Sequence, residues 1–226
     1  MGTITQAFAT PVARITCPHA ADWNDLLTEI ILAKLEVIDN KFDYKLETPA
    51  TLTEWGEQIT DAISSWVLRM ARQFAEKIVD RSLEDAFSQG NFNHAERPGT
   101  RRRISVGISR SWASLYRQGD RHEAHFHPNT AIAAIYYVAA PGTCELDLID
   151  PRSNIGYFDP GITFAGDDHN VRLHCRPGEL LLFPGWLKHA VPEFTEDGLR
   201  ISLSWNIGFA VHSHENEQRS RPEASG

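Results

Sequence analysis

Gly119-Asp-Arg-His122-Glu-Ala-His125-Phe-His127-Pro-Asn129 runs almost directly into Ala131-Ile-Ala-Ala-Ile-Tyr-Tyr-Val138. The second run is rich in residues that favour strands, and it reads as one. His122 to Phe126 reads as the strand before it. Alternate residues of a strand share a face, so His125 and His127 present two imidazoles one pleat apart. Two imidazoles so placed can grip one metal ion. A third histidine stands 62 residues beyond His127, in Phe183-Pro-Gly-Trp-Leu-Lys-His189. There a Pro-Gly turn closes one strand and His189 opens the next. In a small barrel that geometry can bring His189 back to face the pair. The bare His-x-His tripeptide is weak by itself, since His212 and His214 form another in a polar tail.

Working outward, the chain from Arg103 on alternates short apolar runs with turn residues. The candidate strands are 104–116, 122–126, 131–138, 145–149, 170–175, 179–183, 189–193 and 199–211. Gly119, Pro141-Gly142, Pro177-Gly178, Pro184-Gly185 and Asp197-Gly198 mark the turns. Short strands with regular turn signals predict an all-β barrel or sandwich. Two earlier segments follow the helical period. Trp23, Leu26, Leu27, Ile30 and Ile31 mark a helix over 21–37. Trp55, Ile59, Ile63, Trp66, Val67, Met70 and Phe74 mark another over 53–79. Each stripe is about one face wide, so each helix should pack one side against the barrel. The segment between them reads as loop. Arg97 to Arg103 reads as a basic loop, able to touch phosphate or simply solvated.

The last strand carries the second chemical signal. In Arg200-Ile-Ser-Leu-Ser-Trp-Asn206, Arg200, Ser202, Ser204 and Asn206 share one face, and Ile201, Leu203, Trp205 and Ile207 the other. The apolar face should meet the helices, so the polar face points into the barrel. A guanidinium buried there needs an anionic partner. That partner is either a carboxylate of the protein or a bound ligand. Tyr137 has the phase to point the same way. Trp112, Tyr116, Asn129, Arg152, Trp186 and Asn206 are candidates for the cavity wall, and several of them could instead fill core.

The ordered set His125-Phe-His127, Ile135-Tyr136-Tyr137, His189 and Arg200-Ile-Ser202 resembles the Fe(II)/2-oxoglutarate-dependent oxygenases. The pieces His127-Pro128-Asn129, Asp150-Pro151-Arg152 and Phe183-Pro184 narrow the likeness to an uncharacterised family within them. The resemblance covers roughly 112–209. It implies a mainly β fold, a double-stranded β-helix (a cupin-like jelly roll) braced by N-terminal helices. It implies that His125, His127 and His189 bind Fe(II), and that Arg200, Ser202 and Tyr137 hold the distal carboxylate of 2-oxoglutarate. With O2, such an enzyme hydroxylates a substrate and releases succinate and CO2. His127 stands where the superfamily usually has a carboxylate. Glu123 precedes the pair, and Asp147 or Asp150 would have to reach in from another strand.

Two other readings stay open. Gly119, with His125 and His127 following, matches the start of a cupin motif. Pro184 before His189 matches a second. A cupin-type three-His dioxygenase would not use 2-oxoglutarate, and a non-catalytic metal-binding cupin would have a fully ligated ion. Composition limits the rest. The chain has 226 residues with 42% hydrophobic and 23% charged content, ordinary for a globular protein. A net charge of −8 argues against nucleic acid as partner. No apolar run is long enough to span a membrane, and no signal peptide is visible. Three scattered cysteines form no disulfide framework, so a cytoplasmic location is expected. We read 1–211 as one domain, with helical support over about 20–90 and the jelly roll over about 103–211. A polar tail, 212–226, is expected to be disordered. The substrate is a small molecule or a peptide. The long stretch 152–170 is a candidate lid, and a spare helix face leaves a homodimer open.

Overall fold

A computed structural model describes residues 8–36, 41–42, 44–48, 51–90, 101–142, 144–152 and 170–214. The proposed lid (153–169) and the tail from 215 on lie outside the described residues. In chain order the elements are β1 (Ala13–Thr16), α1 (Ala20–Glu36), β2 (Lys41–Phe42) and β3 (Lys45–Glu47). A 3-10 turn (Leu52–Trp55), α2 (Gln58–Ile78) and α3 (Leu83–Gly90) follow. Then come β4 (Arg101–Tyr116), β5 (His122–His125), β6 (Ile132–Ala139), β7 (Glu145–Ile149), β8 (Asn170–His174), β9 (Glu179–Pro184), β10 (His189–Val191) and β11 (Arg200–His214).

The strands form two antiparallel sheets. The larger has the order β1-β9-β6-β11-β4-β3-β2, and the smaller β5-β10-β7-β8. From β4 to β11 the chain changes sheet at every step except between β7 and β8, which pair as neighbours in the smaller sheet, and this is the pattern of a double-stranded β-helix. Alternation builds two cores on either side of the larger sheet. On β11, Ile201, Leu203, Trp205 and Ile207 face outward, joined by Ala134, Tyr136 and Val138 of β6 and by Leu180 and Leu182 of β9. Leu27, Ile31 and Leu35 of α1 and Ile63, Trp66, Val67, Ala71 and Phe74 of α2 cover them. The Trp205 indole N–H donates to Ser64 Oγ of α2 at 3.1 Å, so this large ring is buried without an orphan donor. Ala133, Ile135, Tyr137, Leu181 and Phe183 point the other way, between the sheets. The register β6–β11 seats Tyr137 opposite Ser202.

Four expectations change. The segment between the helices is not a loop alone: β2 and β3 form a hairpin, and β3 extends the larger sheet by pairing Leu46 with Leu115 and Glu47 with Ser114. The helix read over 53–79 is broken, because Gly56 adopts φ 73 and ends a 3-10 turn before α2 begins. Arg101 to Arg103, read as loop, belong to β4. Strand β11 continues to His214, so the tail begins later than 212. The N-terminal hairpin also bridges the seam between the sheets: the Arg121 N–H donates to the Tyr44 carbonyl at 3.1 Å, and the Arg121 guanidinium lies 4.0 Å from the Tyr44 ring centre. No helix among the described residues is long and apolar enough to cross a membrane.

Candidate metal centre and anion anchor

Strand β10 places His189 directly opposite His125 on β5. β5 ends at His125, and His127 lies in the connection beyond it. That connection is held by the His127 N–H donating to the Gly185 carbonyl at 2.9 Å. A Cβ at Gly185 would overlap the Thr130 carbonyl oxygen, so the Pro184-Gly185 turn needs its glycine for close approach of two backbones. Phe126, between the two histidines, points out and is 52% exposed. One ring nitrogen from each of His125, His127 and His189 falls in a group spanning no more than 4.8 Å.

Hydrogen bonds fix which nitrogen is free. His189 Nδ1 lies 3.0 Å from the Leu187 carbonyl, and His125 Nδ1 lies 2.8 Å from the Glu123 carbonyl. A carbonyl only accepts, so each Nδ1 carries the proton and each Nε2 presents a lone pair. His127 Nε2 faces His189 Nε2 at 3.3 Å. Two ligands about 2.1 Å from a shared ion stand roughly 3.0–3.4 Å apart, so the separation fits. Burial pushes His189 down to about 3 and His127 to about 4, and lowers His125 as well. All three are therefore neutral near pH 7, the form that binds a metal. No carboxylate joins them among the described residues. Asp147 pairs with Arg172 at 2.7 Å, Asp150 with Arg152, and Glu123 with Arg121 at 3.0 Å.

Arg200 stands at the other end of the same cavity, which Ser202 also lines. Its guanidinium is 2% exposed and meets no carboxylate among the described residues. Nη1 donates to the Glu145 carbonyl at 2.7 Å, while Nε has no partner. The rings of Tyr116 and Tyr137 flank it at 5.1 and 5.4 Å. The Tyr137 hydroxyl points toward the Cys175 sulfur, a weak acceptor, and makes no hydrogen bond of ordinary geometry. Burial holds that hydroxyl well above its usual pKa, so it stays protonated and able to donate. Buried donors without an acceptor are rare and call for an explanation, and a bound anion would supply one.

Of the proposed wall residues, Trp112 and Tyr116 line the cavity. Trp112 lies 5.7 Å from His127. Asn206 keeps a buried Oδ1 without a partner, although it is not a lining residue. The other three do not reach the cavity. Asn129 is exposed at a turn with φ 55, Arg152 folds back on Asp150, and Trp186 is 53% exposed. The wall also includes Lys45 and His122, neither of which sequence reading selected. His122 belonged to the visible histidine cluster, but Lys45 lies in a three-residue strand with no periodicity of its own.

The family model described as "Putative 2OG-Fe(II) oxygenase" matches residues 110–206, the segment that carries these groups. Solved structures share the fold. SnoN, titled a non-heme alpha-ketoglutarate-dependent epimerase from nogalamycin biosynthesis, is 10% identical with a TM-score of 0.57, over 96% of this chain and 87% of its own. HygX from Streptomyces hygroscopicus, solved with nickel, 2-oxoglutarate and hygromycin B, is 11% identical with a TM-score of 0.53, over 88% and 83%. The collagen prolyl hydroxylase of Paramecium Bursaria Chlorella virus-1, solved with 2-oxoglutarate, is 12% identical with a TM-score of 0.50, over 87% and 94%. No curated protein matches the chain in sequence. Over residues 110–206 the chain is similar to that family, and it shares the jelly-roll fold of these structures.

Proposed function

We propose that this protein is an Fe(II)- and 2-oxoglutarate-dependent oxygenase that hydroxylates a small-molecule or peptide substrate, with release of succinate and CO2. His125, His127 and His189 would hold the iron, and Arg200, Tyr137 and Ser202 the distal carboxylate of 2-oxoglutarate. The bound iron and co-substrate supply the activation of O2. The chain's residues do the rest. The Leu187 and Glu123 carbonyls orient two imidazoles and fix their tautomers. Arg200 and Tyr137 keep donors free for a carboxylate, and the apolar walls formed by Ile135, Leu146 and Val191 keep water out. Trp112 lines the side of the cavity next to His127, where a substrate would approach the metal.

One observation carries this reading: the buried Arg200 Nε lacks a protein acceptor in the same cavity as the three converging imidazoles, and the Tyr137 ring packs against that guanidinium. Three histidines alone would equally suit a cupin-type dioxygenase that needs no 2-oxoglutarate, and such an enzyme would have no use for this anchor. The core shared by helices and barrel supports a single domain. The cysteines Cys17, Cys144 and Cys175 are free and buried, which agrees with a cytoplasmic location. The test is succinate formation under air with Fe(II) and 2-oxoglutarate, across amino acids, peptides and small acids. Succinate formed by wild type and lost in Arg200→Ala supports the reading. Oxygen consumed without any succinate contradicts it.

A further inference from the structure

Lys45 is 5% exposed and comes from β3, an element outside the segment that the family model matches. Lysine is almost never buried to this degree without paired charge. Its ammonium lies 2.7 Å from Glu47 Oε2 and 3.1 Å from His122 Nδ1. An ammonium has three donors. Two are used here, and the third has no partner among the described residues, while the side chain lines the cavity of the three histidines. We propose that Lys45 binds an oxyanion of the primary substrate, so that the substrate is an acid bearing a carboxylate or a phosphate.

This inference rests on the oxygenase reading, which already assigns both ends of 2-oxoglutarate. Lys45 and Arg200 hold different partners across the Tyr116 ring: Lys45 reaches Glu47 and His122, Arg200 reaches the Glu145 carbonyl, and the ring centre lies 5.8 Å from one cation and 5.1 Å from the other. Its partner His122 lies against His125 with ring centres 3.8 Å apart, and Lys45 itself lines the cavity of the three histidines. Charge balance points the same way. With three neutral imidazoles, a divalent ion and Arg200 face only the two charges of 2-oxoglutarate, which leaves a surplus positive charge. The usual carboxylate ligand would cancel it. Lys45 adds another positive charge, and Glu47 does not fully offset it, since that carboxylate also pairs with Arg110 at 3.3 Å. A cavity of this charge favours an anionic substrate and rejects its neutral analogue.

The test uses the full chain loaded with Fe(II) and 2-oxoglutarate under nitrogen. It is titrated with propionate against propionamide, benzoate against benzamide, and with inorganic phosphate and phenyl phosphate. At least one oxyanion should bind, and any amide should bind about tenfold more weakly than its acid or worse. Carboxylates binding more tightly than phosphates, or the reverse, identify the group. Lys45→Met should erase the preference while 2-oxoglutarate affinity stays within about twofold, and Lys45→Arg should keep it. Thermal unfolding checks that both variants fold, and the acid-to-amide ratio in wild type stands without them. Amides that bind as well as acids, no oxyanion bound at all, or a preference that survives in Lys45→Met would each overturn the proposal. A wild type that takes up no 2-oxoglutarate overturns the oxygenase reading itself, and this inference with it.

Discussion

The two ends of the cavity are built differently. The metal end stands on short strands of the smaller sheet: β5 has four residues and β10 three. Its imidazoles are positioned by turns and by carbonyls two residues away. The anchor end stands on β11, fifteen residues long and backed by two helices. Its donors are buried and partly unsatisfied. The contrast teaches where each end stores its cost. The metal end is nearly satisfied without its ligand, apart from facing lone pairs. The anchor end holds desolvated donors whose cost is recovered only when an anion arrives. Substitutions should therefore separate the two, changing ligand affinity alone at one end and trading affinity against stability at the other.

The largest effect is expected at the metal end. His189→Ala should weaken Fe(II) binding by about 100-fold or more, because two ligands remain and no carboxylate is near to replace it. Equilibrium dialysis with metal analysis measures this, and retention of a full equivalent of iron would break the assignment. At the anchor end, Arg200→Ala should weaken 2-oxoglutarate by roughly 10–100-fold, the value of a charged hydrogen-bonded contact of about 1.5–3 kcal/mol. Iron binding should stay within a few-fold. Tyr137→Phe is the sharper probe of the comparison. It removes a buried hydroxyl without a hydrogen bond of ordinary geometry, so the ligand-free protein should melt at the same temperature or higher. The same change should cost 2-oxoglutarate roughly five- to tenfold in affinity, about 1 kcal/mol. A lower melting point with unchanged affinity would mean that the hydroxyl serves the fold alone.

The smallest effect concerns acid. His189 and His127 have folded pKa values of about 3 and about 4, set mainly by burial, against about 6.5 when unfolded. Between those values the unfolded chain binds more protons, so stability is full above about pH 6.5 and declines as pH falls toward 4. The metal-free protein should lose several degrees of melting temperature between pH 7 and pH 5. His127→Gln should lessen that loss. A melting curve flat across this range would contradict buried neutral imidazoles.

Much of this was legible because strands write their faces into the sequence. The alternation along β11 puts Arg200, Ser202 and Ser204 on the cavity and Ile201, Leu203, Trp205 and Ile207 against the helices, as the sequence reads. Ala133, Ile135 and Tyr137 did the same for β6. The three histidines were readable from spacing plus the Pro184-Gly185 turn. What was hidden is non-local or too short. β1, β2 and β3 have two to four residues, too short for a period to mark them, and β1 and β3 gain their place from partners far along the chain. Lys45 went unseen for that reason. The break at Gly56 was visible as a glycine, but the apolar stripe on either side masked it. Asn129 and Arg152 were misplaced because turn formation and a local ion pair claim them before the cavity does.

We propose the three histidines and Arg200 as two ends of one co-substrate site. Anaerobic titration of the Fe(II)-loaded protein with 2-oxoglutarate tests it most directly, followed through the weak visible charge-transfer band that chelation to iron produces. The account predicts a saturating band at one equivalent in wild type, and a band of similar shape in Arg200→Ala that saturates only at much higher concentration. No band in wild type, or identical titrations in the two proteins, would contradict it.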